Sequence, residues 1–222
     1  MKPLLPLTLL AAGLLLGCGG SSSSSPSSSS PAAPSAIDQQ LWTDAANGNL
    51  SAVEADVAAG ADVNFANSND GGAPPLEPAA ANGHVDVVTY LVSVGANVNQ
   101  ADTLRGKTPL LAASFNSQDA VADYLLTVPS IDVNHQAFNM WTAAHDAAWV
   151  GDLHIVQSLV GAGADLDLLN DNSDTVLQTA EAAVADCFTA PTSNCPVTAG
   201  NSTVSEAGYE ALVAYLETAP DN

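Results

Sequence analysis

The stretch Gly60-Ala-Asp-Val-Asn64 decides the fold of this 222-residue chain, because close variants of it return along the sequence. The variants begin at residues 95, 130 and 163, so the interval is 35 residues twice and then 33. A phrase with such a period indicates a repeat architecture, in which each unit buries its apolar face against its neighbours. The variants are Gly95-Ala-Asn-Val-Asn99, Ser130-Ile-Asp-Val-Asn134 and Gly163-Ala-Asp-Leu-Asp167.

A second phrase lies between these copies and has the pattern of a helix start. Its clearest form is Thr108-Pro-Leu-Leu-Ala-Ala-Ser114, with related forms in the stretches 74–84 and 142–151. Proline fits the first turn of a helix, and a threonine before it can cap that turn. The paired alanines permit neighbouring helices to approach closely. The first apolar position of this phrase is occupied in successive units by Leu41, Leu76, Leu110, Ala144 and Leu177.

Glycine and valine positions complete each unit as a pair of helices. Gly83 and Gly151 stand where the chain turns back after the first helix, and Gly60, Gly95 and Gly163 stand just after the second, where a left-handed residue ends a helix. Apolar residues recur at helical spacing between these glycines, which predicts one buried stripe per unit. Pro129-Ser130 replaces the glycine of the third unit, so we expect that helix end to be distorted.

The two phrases, in this order and at this period, resemble those of ankyrin-repeat proteins. The resemblance implies an all-α ankyrin-repeat solenoid of helix-turn-helix units with short hairpin loops, and it gives His84 and His145 the structural role of binding the turn backbone. About five repeats are expected over residues 37–222, at 37–70, 71–104, 105–138, 139–171 and 172–222, the last with a Cys-containing insertion at about 185–203.

The residues before the repeats indicate export and lipid attachment. Residues 1–17 have the positive start and apolar run of a signal peptide, and Gly17-Cys18 resembles the lipobox of bacterial lipoproteins. The resemblance implies that Cys18 is lipidated and that a Ser/Pro-rich disordered linker, 18–36, tethers the domain to the cell envelope, with the domain in the periplasm or exposed outside. Gly19 after the cysteine favours the outer membrane over the inner one. An ordinary secretory peptide and an uncleaved anchor remain alternatives.

The chain is strongly acidic, with 24 Asp and Glu residues against three Lys and Arg, and a formal net charge of −21. Such a surface repels nucleic acid and anionic lipid, so contact with a membrane is expected only through the lipid anchor. The charge is consistent with a partner that has a basic surface, and equally with a salty habitat in which repulsion between like charges is screened. We expect the protein to be monomeric.

Cys187 and Cys195 are the two cysteines that the lipobox leaves over. In an oxidising compartment they are expected to form a disulfide. A metal site is the alternative, although no histidine lies between Leu177 and the end of the sequence at residue 222. An envelope enzyme or a redox or metal site in the 185–203 insertion is therefore the competing hypothesis for function, and a purely structural envelope protein is a third.

No nucleophile elbow or phosphate-binding glycine loop occurs in the sequence, so we expect no catalytic residue and no cofactor. The main hypothesis is a protein that binds a protein partner through the concave face and hairpin loops of its repeats. Repeats three and four carry large side chains where the other repeats carry small ones, at the end of the first helix and just before the Thr-Pro phrase. The candidate partner-binding residues are Arg105, Lys107, Phe115, Trp141 and Trp149. Their aromatic members could instead fill space between repeats.

Overall fold

The computed structural model of the protein describes residues 35–189 and 205–219. Within these ranges the chain forms ten α-helices, and no helix is long and apolar enough to span a membrane. The expected signal peptide, Cys18 and most of the linker lie outside the described residues. The helices are α1 Ala36–Ala46, α2 Leu50–Ala58, α3 Leu76–Ala81, α4 Val85–Ser93, α5 Pro109–Phe115, α6 Asp119–Leu126, α7 Ala143–Val150, α8 Leu153–Gly161, α9 Val176–Val184 and α10 Glu206–Leu216.

The helices form two layers that follow the order of the chain. The odd-numbered helices pack side by side from α1 to α9 and form the inner layer, and the even-numbered helices pack in the same order from α2 to α10. Each inner helix also packs against the outer helix that follows it. This arrangement confirms the all-α repeat solenoid of five helix pairs. We call the four connections between an outer helix and the next inner helix fingers one to four.

Alanines bring the inner helices together, as the repeated alanine pairs predicted. Ala80, Ala113 and Ala147 are completely buried in α3, α5 and α7. Because a methyl group occupies little space, neighbouring helix backbones can approach closely there, and dense packing of this kind leaves few voids. The outer helices contribute the branched residues of the core, among them Val88, Val121 and Ile155.

The helix starts and ends follow the local chemistry of the repeated phrases. The Thr108 side chain accepts a hydrogen bond from the Leu111 backbone N–H, with Pro109 at the first helical position of α5. Gly60, Gly95 and Gly163 adopt φ values of +95°, +98° and +91° after their outer helices. A side chain in this left-handed region is strained, which explains why the phrase begins with glycine.

The asparagine that ends each of the first three phrases joins one repeat to the next. The Asn64 Oδ1 accepts from the Asn97 backbone N–H at 2.7 Å, the Asn99 Oδ1 from that of Asp132 at 2.9 Å, and the Asn134 Oδ1 from that of Asp165 at 2.8 Å. Each Nδ2 donates to a carbonyl of the same following loop, at Gly95, Ser130 and Gly163. We call this chain of contacts the asparagine ladder.

Three details differ from the sequence expectations or refine them. The first helix begins at Ala36 with Ser35 as its N-cap, one residue before the expected boundary. The outer helix α6 is one residue shorter than α4 and α8, in line with the distortion expected at Pro129-Ser130. In the fifth repeat Val176 is completely buried while Leu177 is half-buried, so the buried position is shifted by one residue.

The C-terminal repeat departs further from the expectation. α9 continues as a π-helical turn, Ala185–Thr189, so helical structure extends into the segment expected to be an insertion from residue 185. Tyr209 and Leu212 are completely buried on α10, whereas Val213, expected to face inward, is half-buried beside the core. The remainder of the expected insertion, including Cys195, lies outside the described residues.

Removal of one rung tests the asparagine ladder. Asn99→Ala leaves the backbone N–H of Asp132 and the carbonyl of Ser130 without these partners. Loss of two exposed hydrogen bonds is expected to lower the free energy of unfolding by about 1 kcal/mol. Urea denaturation followed by far-UV circular dichroism measures the change. Asn172→Ala, at an exposed finger tip, is the control. Equal effects of the two substitutions would show that the ladder contributes nothing specific.

Candidate partner-binding surface

Phe115 and Lys107 form the first part of the surface. Phe115 is the last residue of α5, and its side chain is 42% exposed. Lys107, two residues before α5, places its Nζ 4.2 Å from the centre of the Phe115 ring. This separation is within the range of a cation–π interaction. The two residues that the sequence predicted are therefore in direct contact, and the lysine covers one side of the aromatic ring.

Lys107 also connects α5 to α7 through Asp146. Its Nζ lies 3.8 Å from the Asp146 Oδ2, and the lysine side chain is only 20% exposed. This distance exceeds that of a hydrogen bond, and the Oδ2 is buried without a hydrogen-bond partner. Burial raises the pKa of Asp146 to about 7, although Lys107 lowers it. Desolvation of the carboxylate therefore outweighs the attraction of the single cation.

Trp141 and Trp149 form the second part of the surface. Their rings lie 6.0 Å apart in an edge-to-face arrangement, and both residues are half-buried. The Trp141 indole N–H donates to the Asp171 Oδ1 at 3.2 Å. The Trp149 carbonyl accepts from the Tyr209 hydroxyl at 2.6 Å, which holds the end of α7 against α10. The two tryptophans therefore contribute to packing between repeats as well as to the surface.

Asp146 and Trp149 are three residues apart on α7, so they are neighbours on one face of the helix. The buried Asp146 thus lies beneath this region, in contact with Lys107. Four of the five residues expected to bind a partner form two contact pairs in repeats three and four, Lys107–Phe115 and Trp141–Trp149. The sequence left open whether the aromatic side chains bind a partner or fill space between repeats. Phe115 is exposed and available to a partner, whereas the two tryptophans are half-buried and also pack between repeats.

Arg105, two residues before Lys107 in finger two, lines a pocket of its own. Leu104 lines the same pocket, which has a volume of about 30 Å³ and whose other walls are Asp70, Gly71, Glu77 and Asp102. The Oε2 of Glu77 is buried without a hydrogen-bond partner. Burial, and then the negative charges of Asp102 and Asp70, raise the pKa of Glu77 to about 7, with Lys107 and Arg105 acting in the opposite direction. The pocket is therefore acidic, with one arginine at its edge.

The finger that carries both cations is organised by Asp102. This buried carboxylate accepts hydrogen bonds from the backbone N–H groups of Leu104, Arg105 and Lys107. Hydrogen bonds of this kind order the loop around the carboxylate. The positions of Arg105 and Lys107 thus depend on a residue that the sequence analysis did not select.

The fingers also expose large apolar side chains that the sequence analysis missed. Phe138 is 71% exposed, Leu104 66%, Met140 47% and Leu169 46%, and they occupy fingers two, three and four. A usable signal was present in the sequence, since these residues are large and apolar within segments that otherwise contain many Asn, Asp and Gly residues. The helical periodicity on which the repeats align does not extend to the finger tips.

Backbone hydrogen bonds hold each finger to the one before it. The Thr103 N–H donates to the Gly71 carbonyl at 2.7 Å, and the Phe138 N–H donates to the Arg105 carbonyl at 2.8 Å. The Phe138 ring lies against Gly106, where an added Cβ would be 2.7 Å from the ring Cδ1. Glycine is therefore required at this position. The exposed side chains project from fingers whose backbones are already ordered.

Comparison with known families agrees with this architecture. A family model of ankyrin repeats in three copies matches residues 41–137, and a model of the single ankyrin repeat matches residues 139–171. Together the matches cover more than half of the sequence. The chain belongs to the ankyrin-repeat family. No curated protein matches it significantly. Ankyrin repeats typically serve as protein-binding modules and not as enzymes, which agrees with the class of function expected from the sequence.

Three histidines support the ankyrin stack through backbone contacts. The Nε2 atoms of His84, His135 and His145 lie 3.1, 2.9 and 3.2 Å from the carbonyl oxygens of Ala46, Gly106 and Asp174. The Nδ1 of His145 pairs with Thr142, whose backbone N–H donates to it, in a capping box at the start of α7. This is the structural role that the family resemblance implied for His84 and His145.

The remaining candidates for a catalytic or metal-binding role are His154 and Cys187. His154 pairs with Asp123 at 2.9 Å on the outer helices, and this hydrogen bond raises the pKa of His154. Within residues 35–189 and 205–219 no three His, Cys, Asp or Glu side chains are placed to hold a metal ion. Cys187 lies in the π-helical turn, and its expected partner Cys195 is outside the described residues. The disulfide remains a prediction.

The buried carboxylate of Asp146 predicts a specific dependence of stability on pH. Because its pKa is raised from 3.8 to about 7, the folded protein retains a proton that the unfolded chain releases. The stabilisation from this proton is fully present below about pH 4 and is lost as the pH rises towards 7 and above. We expect the unfolding free energy of Asp146→Asn to fall less between pH 5 and pH 8 than that of the wild type.

Urea denaturation across this pH range provides the measurement. Burial lowers the pKa of His145, which makes the unfolding free energy rise with pH. This contribution is the same in wild type and variant, so it cancels in the difference between their unfolding free energies. Asp86→Asn, at an exposed position on α4, is the control and should give a profile parallel to that of the wild type. A parallel profile for Asp146→Asn would show that Asp146 does not titrate in this range.

Proposed function

We propose that the protein is a non-catalytic protein-binding module displayed in a bacterial cell envelope. It binds a protein partner through the inner-helix ends and fingers of repeats three and four. The observation that supports this most directly is the set of large apolar side chains that are exposed at the end of α5 and in fingers two and three. Phe115, Leu104, Phe138 and Met140 are all more than two-fifths exposed on an otherwise polar and acidic protein.

The energetics of such a surface favour a protein partner. Removing a large apolar side chain from water contributes about 1.5–3 kcal/mol, and aromatic residues dominate the binding energy of many interfaces. The hydrogen bonds between fingers reduce the loss of conformational entropy on binding, because the backbone is already ordered. Ordered fingers that carry Leu104, Phe138 and Met140 thus suit a partner with matching apolar recesses.

The charges favour a partner with a basic surface. Lys107 is half-buried and contacts Asp146 and Phe115. Of the two candidate cations, only Arg105 is exposed. Burial raises the pKa values of Glu77 and Asp146, and the attraction of Lys107 does not offset it at either carboxylate. A lysine or arginine of the partner near the finger-two pocket would compensate the negative charges of Asp70 and Asp102. Binding would then weaken as the salt concentration rises.

The envelope location rests on the sequence before the repeats. Gly17-Cys18 after an apolar run supports lipidation of Cys18, and the Ser/Pro-rich residues that follow support a linker between lipid and repeats. Gly19 supports the outer membrane over the inner membrane. The repeats are then held near a membrane surface and present the fingers to proteins of the same compartment.

A binding experiment tests the surface directly. Immobilised protein comprising residues 35–222 is incubated with envelope extract at low salt, and retained proteins are identified and then titrated as purified components. Phe115→Ala combined with Phe138→Ala is expected to weaken retention about thirtyfold, corresponding to roughly 2 kcal/mol at an interface hot spot. Both side chains are exposed, but Phe115 contacts Lys107 and Phe138 lies against Gly106, so the melting temperature of the double variant is measured together with its retention. Trp149 is a poor probe, because its ring packs on Trp141 and truncation would also reduce stability.

Val94→Ala supplies the matched control. Val94 is 38% exposed and follows directly on outer helix α4, at the start of finger two and ten residues before Leu104. Retention by this variant should equal that of the wild type. If the double variant retains every protein as well as Val94→Ala does, the proposed surface is wrong. If retention by the wild type does not respond to salt, the partner does not bind through basic residues.

Substitution of the lipidated residue tests the anchor. Cys18→Ser should move the protein from the membrane fraction to the soluble fraction and abolish incorporation of radioactive fatty acid, because each buried methylene contributes about 0.8 kcal/mol to anchoring. Fractionation and labelling in the producing bacterium are the measurements, with Ser21→Ala as the control. Membrane association that survives Cys18→Ser would favour an uncleaved anchor.

A further inference from the structure

A second surface lies on the fifth repeat, between α9 and α10. A groove of about 300 Å³ runs between these helices, and its floor is apolar: Val184 from α9, and Val213 and Ala214 from α10. Both valines are half-buried and Ala214 is exposed. This volume is at the lower end of the range that accommodates small ligands, which is enough for a few apolar side chains.

The groove is the side of the fifth repeat that remains uncovered among the described residues. α9 packs against α7, and α10 packs against α8 and α9. Among the described helices, the fifth repeat therefore has a neighbouring repeat on one side only. In each earlier repeat the equivalent side is covered by the next pair of helices. No described helix outside this repeat lines the groove, and its apolar floor faces solvent there.

Among the described residues, the charged side chains that line the groove are all acidic. Glu181 borders it on α9, Glu210 borders it on α10, and Glu217 borders it directly after the last residue of α10. Seven residues separate Glu210 from Glu217, which places them two turns, or roughly 10 Å, apart along the helix. The described residues that line the groove include no lysine or arginine. The nearest candidate cations in sequence, Arg105 and Lys107, belong to finger two.

We propose that this groove binds a basic amphipathic helix of another protein, separately from the finger surface. Apolar side chains on one stripe of that helix would occupy the floor, and lysines or arginines seven residues apart would lie beside Glu210 and Glu217. Because both α10 and the bound helix rise by the same distance per residue, charges seven residues apart on one helix match charges seven residues apart on the other. Recognition of an amphipathic helix by an apolar groove is a general mode of peptide binding.

Charge favours such a helix over a second copy of the protein. A symmetric dimer through the groove would bring two sets of Glu181, Glu210 and Glu217 together, on chains with a formal net charge of −21 each. Repulsion between these carboxylates opposes that contact, and the chain has only three Lys and Arg residues to relieve it. A basic helix faces no such repulsion.

A fluorescent model peptide tests the proposal on the full chain. The probe is an amidated peptide of about 14 residues, or four helical turns, with leucines on one stripe and lysines on both flanks. A scrambled peptide with the same composition but no apolar stripe is the reference. Binding is followed by fluorescence anisotropy at low and high salt. We expect the amphipathic peptide to bind at least tenfold more tightly than the scrambled one.

Two substitutions on α10 make the test specific. Ala214→Arg places a long cationic side chain in the groove, whereas Ala211→Arg adds the same charge at another exposed position of the same helix outside it. The first should weaken peptide binding at least tenfold and the second less than twofold. Equal effects of the two variants, or equal binding of the two peptides, would overturn the proposal because charge alone would then explain the binding.

Two further measurements separate this groove from other possibilities. Phe115→Ala with Phe138→Ala should leave peptide binding unchanged, so failure of the finger surface and failure of this groove are distinguishable. Sedimentation equilibrium should show a monomer for the wild type and for Ala214→Arg. A wild-type dimer that Ala214→Arg dissociates would overturn the proposal in favour of a second copy as the occupant.

Discussion

The asparagine ladder is the interaction on which the stack depends. Helix pairs of this length are unstable alone, so each repeat needs its neighbour in a defined register. Asn64, Asn99 and Asn134 supply that register because each side chain both accepts from and donates to the backbone of the next loop. The side chain is short and its two functional groups are fixed relative to each other, so a displaced repeat loses both hydrogen bonds. The asparagine recurs in the phrase because each copy binds the backbone of the next repeat.

A fixed register has consequences for the fingers and for the surface that they carry. Once two outer-helix ends are aligned, the Phe138 N–H meets the Arg105 carbonyl and its ring covers Gly106. The same alignment brings Lys107 of one repeat between Phe115 and the buried Asp146 of the next. The candidate binding surface is thus assembled across repeat boundaries, and no single repeat contains it. Variation in a few finger residues changes the surface while the frame remains constant.

The sequence predicted those features that depend on local chemistry. Pro109 at a helix start and Gly95 after a helix end have conformations dictated by their own covalent structure, and the period revealed how often they recur. Contacts between repeats were harder to predict. Lys107 was expected to be available to a partner, but its position depends on the burial of Asp146 two helices away. Phe138 and Leu104 were missed because exposure at a finger tip depends on the path of the loop, which has no simple periodicity.

The hydrogen bond from the Tyr209 hydroxyl to the Trp149 carbonyl joins the last described helix to the aromatic surface. In a linear stack, helices at the end open more readily than those in the middle. When α10 detaches, the carbonyl at the end of α7 loses its partner and the Trp141–Trp149 pair loses support. The packing of the Trp141–Trp149 pair in the fourth repeat is thus coupled thermodynamically to the packing of α10 in the fifth. A ligand that holds α10 in place would act at a distance as a stabiliser of the tryptophan pair, with no contact to either ring.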